Sequence, residues 1–208
     1  MPRSALTGGW RAHLLPGLLA AAFLFTPSAV QAQDTPREVR QRAYAKMQQG
    51  AYVDAIPDWE QLIVYFGDSE VASIIQSMEM VYYNLALCHF FVGQFEQAEQ
   101  AFQTYLKKYR TGAKARQAAI YIADTLRFRN KLDEAIKAYI GAMRKYNYGL
   151  SEKADIYSSI ARCHLAEDNW SKAVDPLSRV YAMAGDFLRR NWAATLLTTA
   201  YVKQLDIE

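Results

Sequence analysis

Apolar and polar residues recur along this chain at helical spacing, and the pattern itself repeats. Four segments align: GAYVDAIPDWEQLI (50–63), GQFEQAEQAFQTYL (93–106), NKLDEAIKAYIGAM (130–143) and DNWSKAVDPLSRVY (168–181). Each opens on a turn residue, with an apolar residue two positions on, Ala five on and a bulky apolar residue nine on. The alanines are Ala55, Ala98, Ala135 and Ala173, spaced by 43, 37 and 38 residues. Upstream of the turns lies a second amphipathic segment, which reads YYNLALCHFF, AAIYIADTLRF and YSSIARCHLA in units two to four. A periodic unit of this length is one supersecondary element that hides its apolar face only by stacking on its neighbours.

The phase of the pattern predicts helix pairs at 37–49 and 53–66, 69–92 and 95–109, 113–129 and 132–146, and 151–167 and 170–184. A ninth helix follows at 187–203. The expected fold is an all-α solenoid of four units, 36–67, 68–110, 111–148 and 149–185, with a C-terminal capping helix over 186–204. Small residues let antiparallel helices approach closely, which predicts that Ala55, Ala98, Ala135 and Ala173 face Ala86, Ala123 and Ala161. Trp59, Phe102, Tyr139 and Leu177 then fill the space between units. Asp68, Ser69 and Ser151 are the expected N-caps, with Glu70 and Glu152 in the first turns. Pro57 and Pro176 belong near the start of second helices, where a missing N–H costs least.

The residues Tyr82, Leu85 and Ala86, then Gly93, Phe95, Ala98 and Phe102, resemble the motif of the tetratricopeptide repeat family. The unit from Glu79 to Arg110 matches best, and the resemblance covers about 36–185. The chain departs from the family in two ways. The proline that closes each repeat is replaced by KKYRTG and RKYNYG, and the period exceeds the usual ~34 residues. The longer units look like those of periplasmic outer-membrane assembly lipoproteins and Tol–Pal-associated proteins. Neither the lipid-anchoring Cys of the first group nor the N-terminal coiled coil of the second is present.

The resemblance implies a concave groove lined by the first helix of each unit. By motif phase it receives Met80, Tyr83, Leu87, Phe90 and Phe91 from unit two, Asp124, Arg127 and Phe128 from unit three, and Arg162 from unit four. It also implies a non-catalytic role and a protein or peptide partner. The stretch MVYYNLALCHFFVG (80–93) is notable because only Asn84 and His89 interrupt its apolar character. Stacking accounts for Tyr82, Leu85, Ala86 and His89. The other half is apolar where later units have Gln117, Asp124, Arg127, Asp155, Ser158 and Arg162. Either the helix at 37–49 or the extra turns from Ser69 cover it, or it is a docking surface, with Arg127 and Arg162 steering an acidic segment at the far end.

Composition narrows the function further. Residues 1–32 have the form of a secretory signal peptide: Arg3 and Arg11, the 12-residue apolar run LLPGLLAAAFLF, then SAVQA, with cleavage expected after Ala32. That run is shorter than the ~20 residues of a membrane-spanning helix, and no later stretch is long and apolar enough to be one. Without Arg3 and Arg11, 22 basic residues face 21 acidic ones, which gives no electrostatic case for nucleic acid. Cys88-His89 and Cys163-His164 fall at one phase of the repeat, two units apart. Helix spacings of 8–10 Å put them ~20 Å from each other. That is too far for a disulfide, and the ligands of a tetrahedral metal site are missing. No nucleophile–base pattern, phosphate loop or HExxH is present, so no catalytic residue, metal or cofactor is expected. The expected function is a protein-binding scaffold of the bacterial cell envelope. Two alternatives stand beside it: a periplasmic receptor for a small apolar ligand, and the N-terminal part or accessory subunit of a larger envelope assembly.

Overall fold

A computed structural model describes residues 34–205, and the expected signal peptide lies outside them. Among these described residues nine helices follow one another: α1 (Pro36–Gln48), α2 (Tyr52–Phe66), α3 (Ala72–Phe91), α4 (Phe95–Lys108), α5 (Ala115–Phe128), α6 (Leu132–Lys145), α7 (Leu150–Ala166), α8 (Trp170–Met183) and α9 (Phe187–Leu205). The described residues contain no strand. Each helix packs on the next in chain order, as expected of stacked helical hairpins. No described helix is long and apolar enough to cross a membrane.

The four hairpin turns are built alike. Gly50, Gly93, Asn130 and Asp168 all have positive φ, between 54° and 78°. In each turn the following N–H donates to a carbonyl five residues back: Ala51 to Lys46, Gln94 to His89, Lys131 to Leu126 and Asn169 to His164, all at 2.9 Å. This is a Schellman-type cap, which needs a left-handed residue and so selects Gly or Asn. It is why the first position of each repeat segment is a turn residue. The packing positions also behave as the repeat predicts. Ala55, Ala98, Ala135 and Ala173, their partners Ala86, Ala123 and Ala161, and the fillers Trp59, Phe102, Tyr139 and Leu177 are all fully buried.

The helix starts differ from expectation. Helix α3 begins at Ala72 with Val71 before it, so Asp68, Ser69 and Glu70 belong to the preceding loop. There the Ser69 hydroxyl accepts from the Val71 N–H at 3.3 Å, a local turn in place of a cap. Helix α7 begins one residue before Ser151, and the Glu152 carboxylate accepts from the Gly149 N–H at 2.9 Å. Pro57 is the sixth residue of α2 and Pro176 the seventh of α8, both beyond the first turn. Helix α3 is 20 residues long against 14 for α5, in line with the wider first repeat spacing.

Candidate functional site

The first helices α1, α3, α5 and α7 carry the positions that the motif assigns to a groove. Between α5 and α7 lies an open trough of about 290 Å³. Ile120, Tyr121, Tyr148 and Ile156 give it apolar surface, and Gln117, Asp124, Glu152, Asp155 and Ser159 polar surface. Tyr148, which lies between α6 and α7, is fixed by donating from its hydroxyl to the Arg116 carbonyl at 2.8 Å. Burial pushes that phenol up to about 12.

Asp124 is the most desolvated carboxylate of the trough, and burial raises its pKa above the usual range. A hydrogen bond from the Tyr139 hydroxyl at 2.5 Å and the Arg127 charge pull the other way. Arg127 bonds Asp124 at 3.5 Å and Tyr139 at 3.4 Å and stacks over the Phe128 ring at 4.3 Å. It is therefore engaged within its own unit and does not reach out to steer a ligand. Glu152 meets Arg116 at 3.1 Å, and Asp155 meets Arg189 of α9 at 2.9 Å. Arg162 is exposed, but it sits over the Trp192 ring of α9 at 5.4 Å, away from this trough.

The equivalent trough between α1 and α3 measures about 460 Å³. It is lined by Arg37, Arg40, Tyr44 and Phe66 on one side and by Ile74 and Ser77 on the other. Arg37, Arg40 and Tyr44 occupy the same repeat phase as Gln117, Ile120 and Asp124 (the match Gly50 to Gly93 to Asn130 fixes it). Among the described residues no carboxylate lines this trough, and the buried Arg40 Nε has no hydrogen-bond partner.

Between the two troughs, the apolar half of α3 is largely covered, but not by the elements expected to cover it. Tyr83 is 6% exposed and sits among the rings of Phe102 at 5.9 Å, Tyr105 at 5.6 Å and Tyr121 at 6.5 Å. Tyr83 is thus part of the α3–α4–α5 core and does not line an open groove. The cover is α4 of the same unit and α5 of the next, where Tyr121 supplies an aromatic ring at the repeat position held by Asn84 and Ser159 in the units on either side. Met80, Leu87 and Phe90 are half-buried against the same cluster. The aromatic lining expected of an apolar-ligand pocket is therefore spent on its own packing. Asn84 is buried, and its Nδ2 has no partner among the described residues.

At the hairpin-turn edge the rings come to the surface. Tyr52 stacks on Phe91 and Phe95 on Phe128, each at 4.8 Å, with Phe90 edge-on to Phe91, Phe95 and Phe128. Phe91 is 50% exposed and Phe128 49%. The predicted site residues thus divide. Asp124 lines a trough, Phe91 and Phe128 form an exposed ring strip that Phe90 supports, Met80 and Leu87 are half-buried against the core, and Tyr83 is interior. The α1–α3 trough was missed because Arg37 and Arg40 lie in a segment with little apolar pattern. Tyr148 was missed because it stands outside the motif. Cys88 and Cys163 are buried and unpaired, and burial pushes each thiol up to about 11.

Comparison with known proteins agrees with this architecture. The family model described as "Tetratricopeptide repeat" matches residues 83–140 and 122–186, which together span half of the chain. No curated protein has a sequence similar to this one. Among solved structures, the fold resembles a Podosopora anserina protein described as a kinesin light chain with nearly identical TPR-like repeats. That match has a TM-score of 0.62 at 16% identity, over 83% of this chain and 89% of the other. It also resembles BtubC from P. vanneervenii, at TM-score 0.62 and 14% identity over 82% of this chain and 73% of that one. A third likeness is to MamA of Desulfovibrio magneticus RS-1, at TM-score 0.56 and 11% identity over 83% and 97%.

Proposed function

Because the chain belongs to the tetratricopeptide repeat family, we propose that it is a non-catalytic interaction scaffold of the bacterial cell envelope, holding an extended segment of a partner protein along α1, α3, α5 and α7. The observation that carries this reading is the pair of open troughs at one repeat phase, one at each end of that face. Each combines apolar side chains with polar or charged ones, the composition of surfaces that both bind and orient a ligand. The exposed rings of Phe91 and Phe128 lie beside the face, and aromatic side chains of this kind anchor protein interfaces. Export rests on the charged start, the short apolar run and SAVQA of residues 1–32.

The test is photocrosslinking in intact cells of a Gram-negative host, with the crosslinking residue placed either at Asp155 in the trough or at Ser178 on the exposed side of α8. The reading expects a discrete adduct from position 155 that position 178 does not give, in the periplasmic fraction. Identical adducts from both positions, or none from either, would overturn it.

A further inference from the structure

The two troughs differ in charge, and that difference gives the face a direction. Arg37 and Arg40 line the α1–α3 trough, whose lining among the described residues holds no carboxylate. Asp124, Glu152 and Asp155 line the α5–α7 trough with no cationic side chain in its lining. The arginines that meet these carboxylates approach from outside the lining; Glu152 has both oxygens engaged, by Arg116 and the Gly149 N–H, whereas Asp124 and Asp155 keep acceptor capacity unused. Both bonds to Asp124 end on Oδ1, and Arg189 also bonds Oδ1 of Asp155. An ionised carboxylate offers about four acceptor sites, so one arginine does not saturate it. The Gln117 Oε1 at the same trough is a buried acceptor with no partner among the described residues. At the opposite end the Arg40 Nε is a buried donor without one. Among the described residues one end therefore presents carboxylates without a lining cation, and the other presents arginines without a lining carboxylate. Between them, α3 presents the half-buried Met80 and Leu87.

Resting on the scaffold reading above, we infer that this face takes an extended protein segment of fixed polarity: an aspartate or glutamate in the α1–α3 trough, apolar residues over α3, and a lysine or arginine in the α5–α7 trough. The separation follows from geometry. The troughs are two first-helix steps apart, ~20 Å at 8–10 Å per step. An extended chain rises ~3.3 Å per residue, so the two charges stand about six residues apart. Complementary charge of this kind sets register and rejects wrong partners. The arrangement reverses the sequence expectation, which placed the anion-binding end at Arg127 and Arg162.

The test is selection of random 12-residue peptides displayed on phage against the immobilised full chain, followed by binding of selected peptides to variants by fluorescence anisotropy. Selected peptides should carry one acidic and one basic residue about six positions apart, with apolar residues between. Asp155→Arg should weaken them about tenfold, the effect of one charge-assisted hydrogen bond, and a second selection on that variant should lose the basic residue only. Arg37→Glu should lose the acidic residue only. Both positions are exposed, and far-UV dichroism should confirm that both variants fold. Peptides without this charge pair, yet displaced by Asp155→Arg, would overturn the polarity while leaving the scaffold reading intact. Failure to enrich any peptide over an unrelated immobilised protein would overturn both.

Discussion

Replacing Tyr83 by serine removes a ring that is 6% exposed and enclosed by Phe102, Tyr105 and Tyr121 of the next two helices. Truncating a buried aromatic typically costs about 3–5 kcal/mol, the lost transfer energy plus the cavity left behind. The surrounding rings are held by α4 and α5 and cannot collapse far into the gap, so the higher part of that range applies. In a domain of this size each kcal/mol lowers the melting temperature by about 2–4 °C, so a fall of about 10 °C or more is expected. Phe91→Ser is the comparison. That ring is 50% exposed, with Tyr52 stacked on it and Phe90 edge-on, so its loss should cost about 1 kcal/mol. Circular dichroism melts of the two variants against the parent decide the matter. If Tyr83→Ser melts within about 2 °C of the parent, α3 is not sealed by α4 and α5, and the packing described here is wrong. If Phe91→Ser falls as far as Tyr83→Ser, the ring strip is core as well, and its role as a docking edge fails.

Four further outcomes follow from named residues. Asn130→Val forces a β-branched side chain into φ 59° and should lose about 1–2 kcal/mol in urea titration, whereas Asn130→Gly should be neutral or slightly stabilising. Asp58 is buried between α1 and α2, with Arg42 and Lys46 on its carboxylate at 2.8 and 2.7 Å; burial pushes its pKa up, but these two partners outweigh that and hold it low. Its contribution is therefore present at neutral pH and lost as pH falls below the usual carboxylate range, so Asp58→Asn should cost about 1.5–3 kcal/mol at pH 7 and the gap to the parent should close in acid melts. Cys88 and Cys163, raised to about 11 by burial, and Tyr148, raised to about 12, favour the fold fully below the unfolded values of 9.0 and 10.0; stability should decline as pH rises above about 9, and iodoacetamide at pH 8 should label two thiols only after denaturation. The exported protein should have the intact mass of a chain starting at Gln33; a mass that retains residues 1–32 would rule out cleavage.

The repeat was legible without coordinates because it is written in local chemistry. A left-handed cap needs Gly, Asn or Asp, and close helix approach needs Ala. Those demands fix Gly50, Gly93, Asn130 and Asp168 and the seven buried alanines at constant phase. Helix number, order and type follow from that phase, and so does the pairing of helices into stacked units. Helix starts were less legible. The Ser69 hydroxyl bonds within a loop and Gly149 precedes α7, choices that depend on how the loop crosses between units. The site depended on tertiary structure most of all. Motif phase says which face of α3 points away from α4's alanine, but not what stands opposite. Only stacking places the Tyr121 ring against Tyr83 and closes that part of the face. Only the fold brings Tyr148, Glu152 and Asp155 up to Gln117 and Asp124 across one trough, or engages Arg127 with Tyr139. Periodicity reports the direction of a side chain along its own helix. Its neighbours, and the charge that a surface presents to a partner, come from residues about 30 positions away in sequence, through packing that one helix's pattern does not encode.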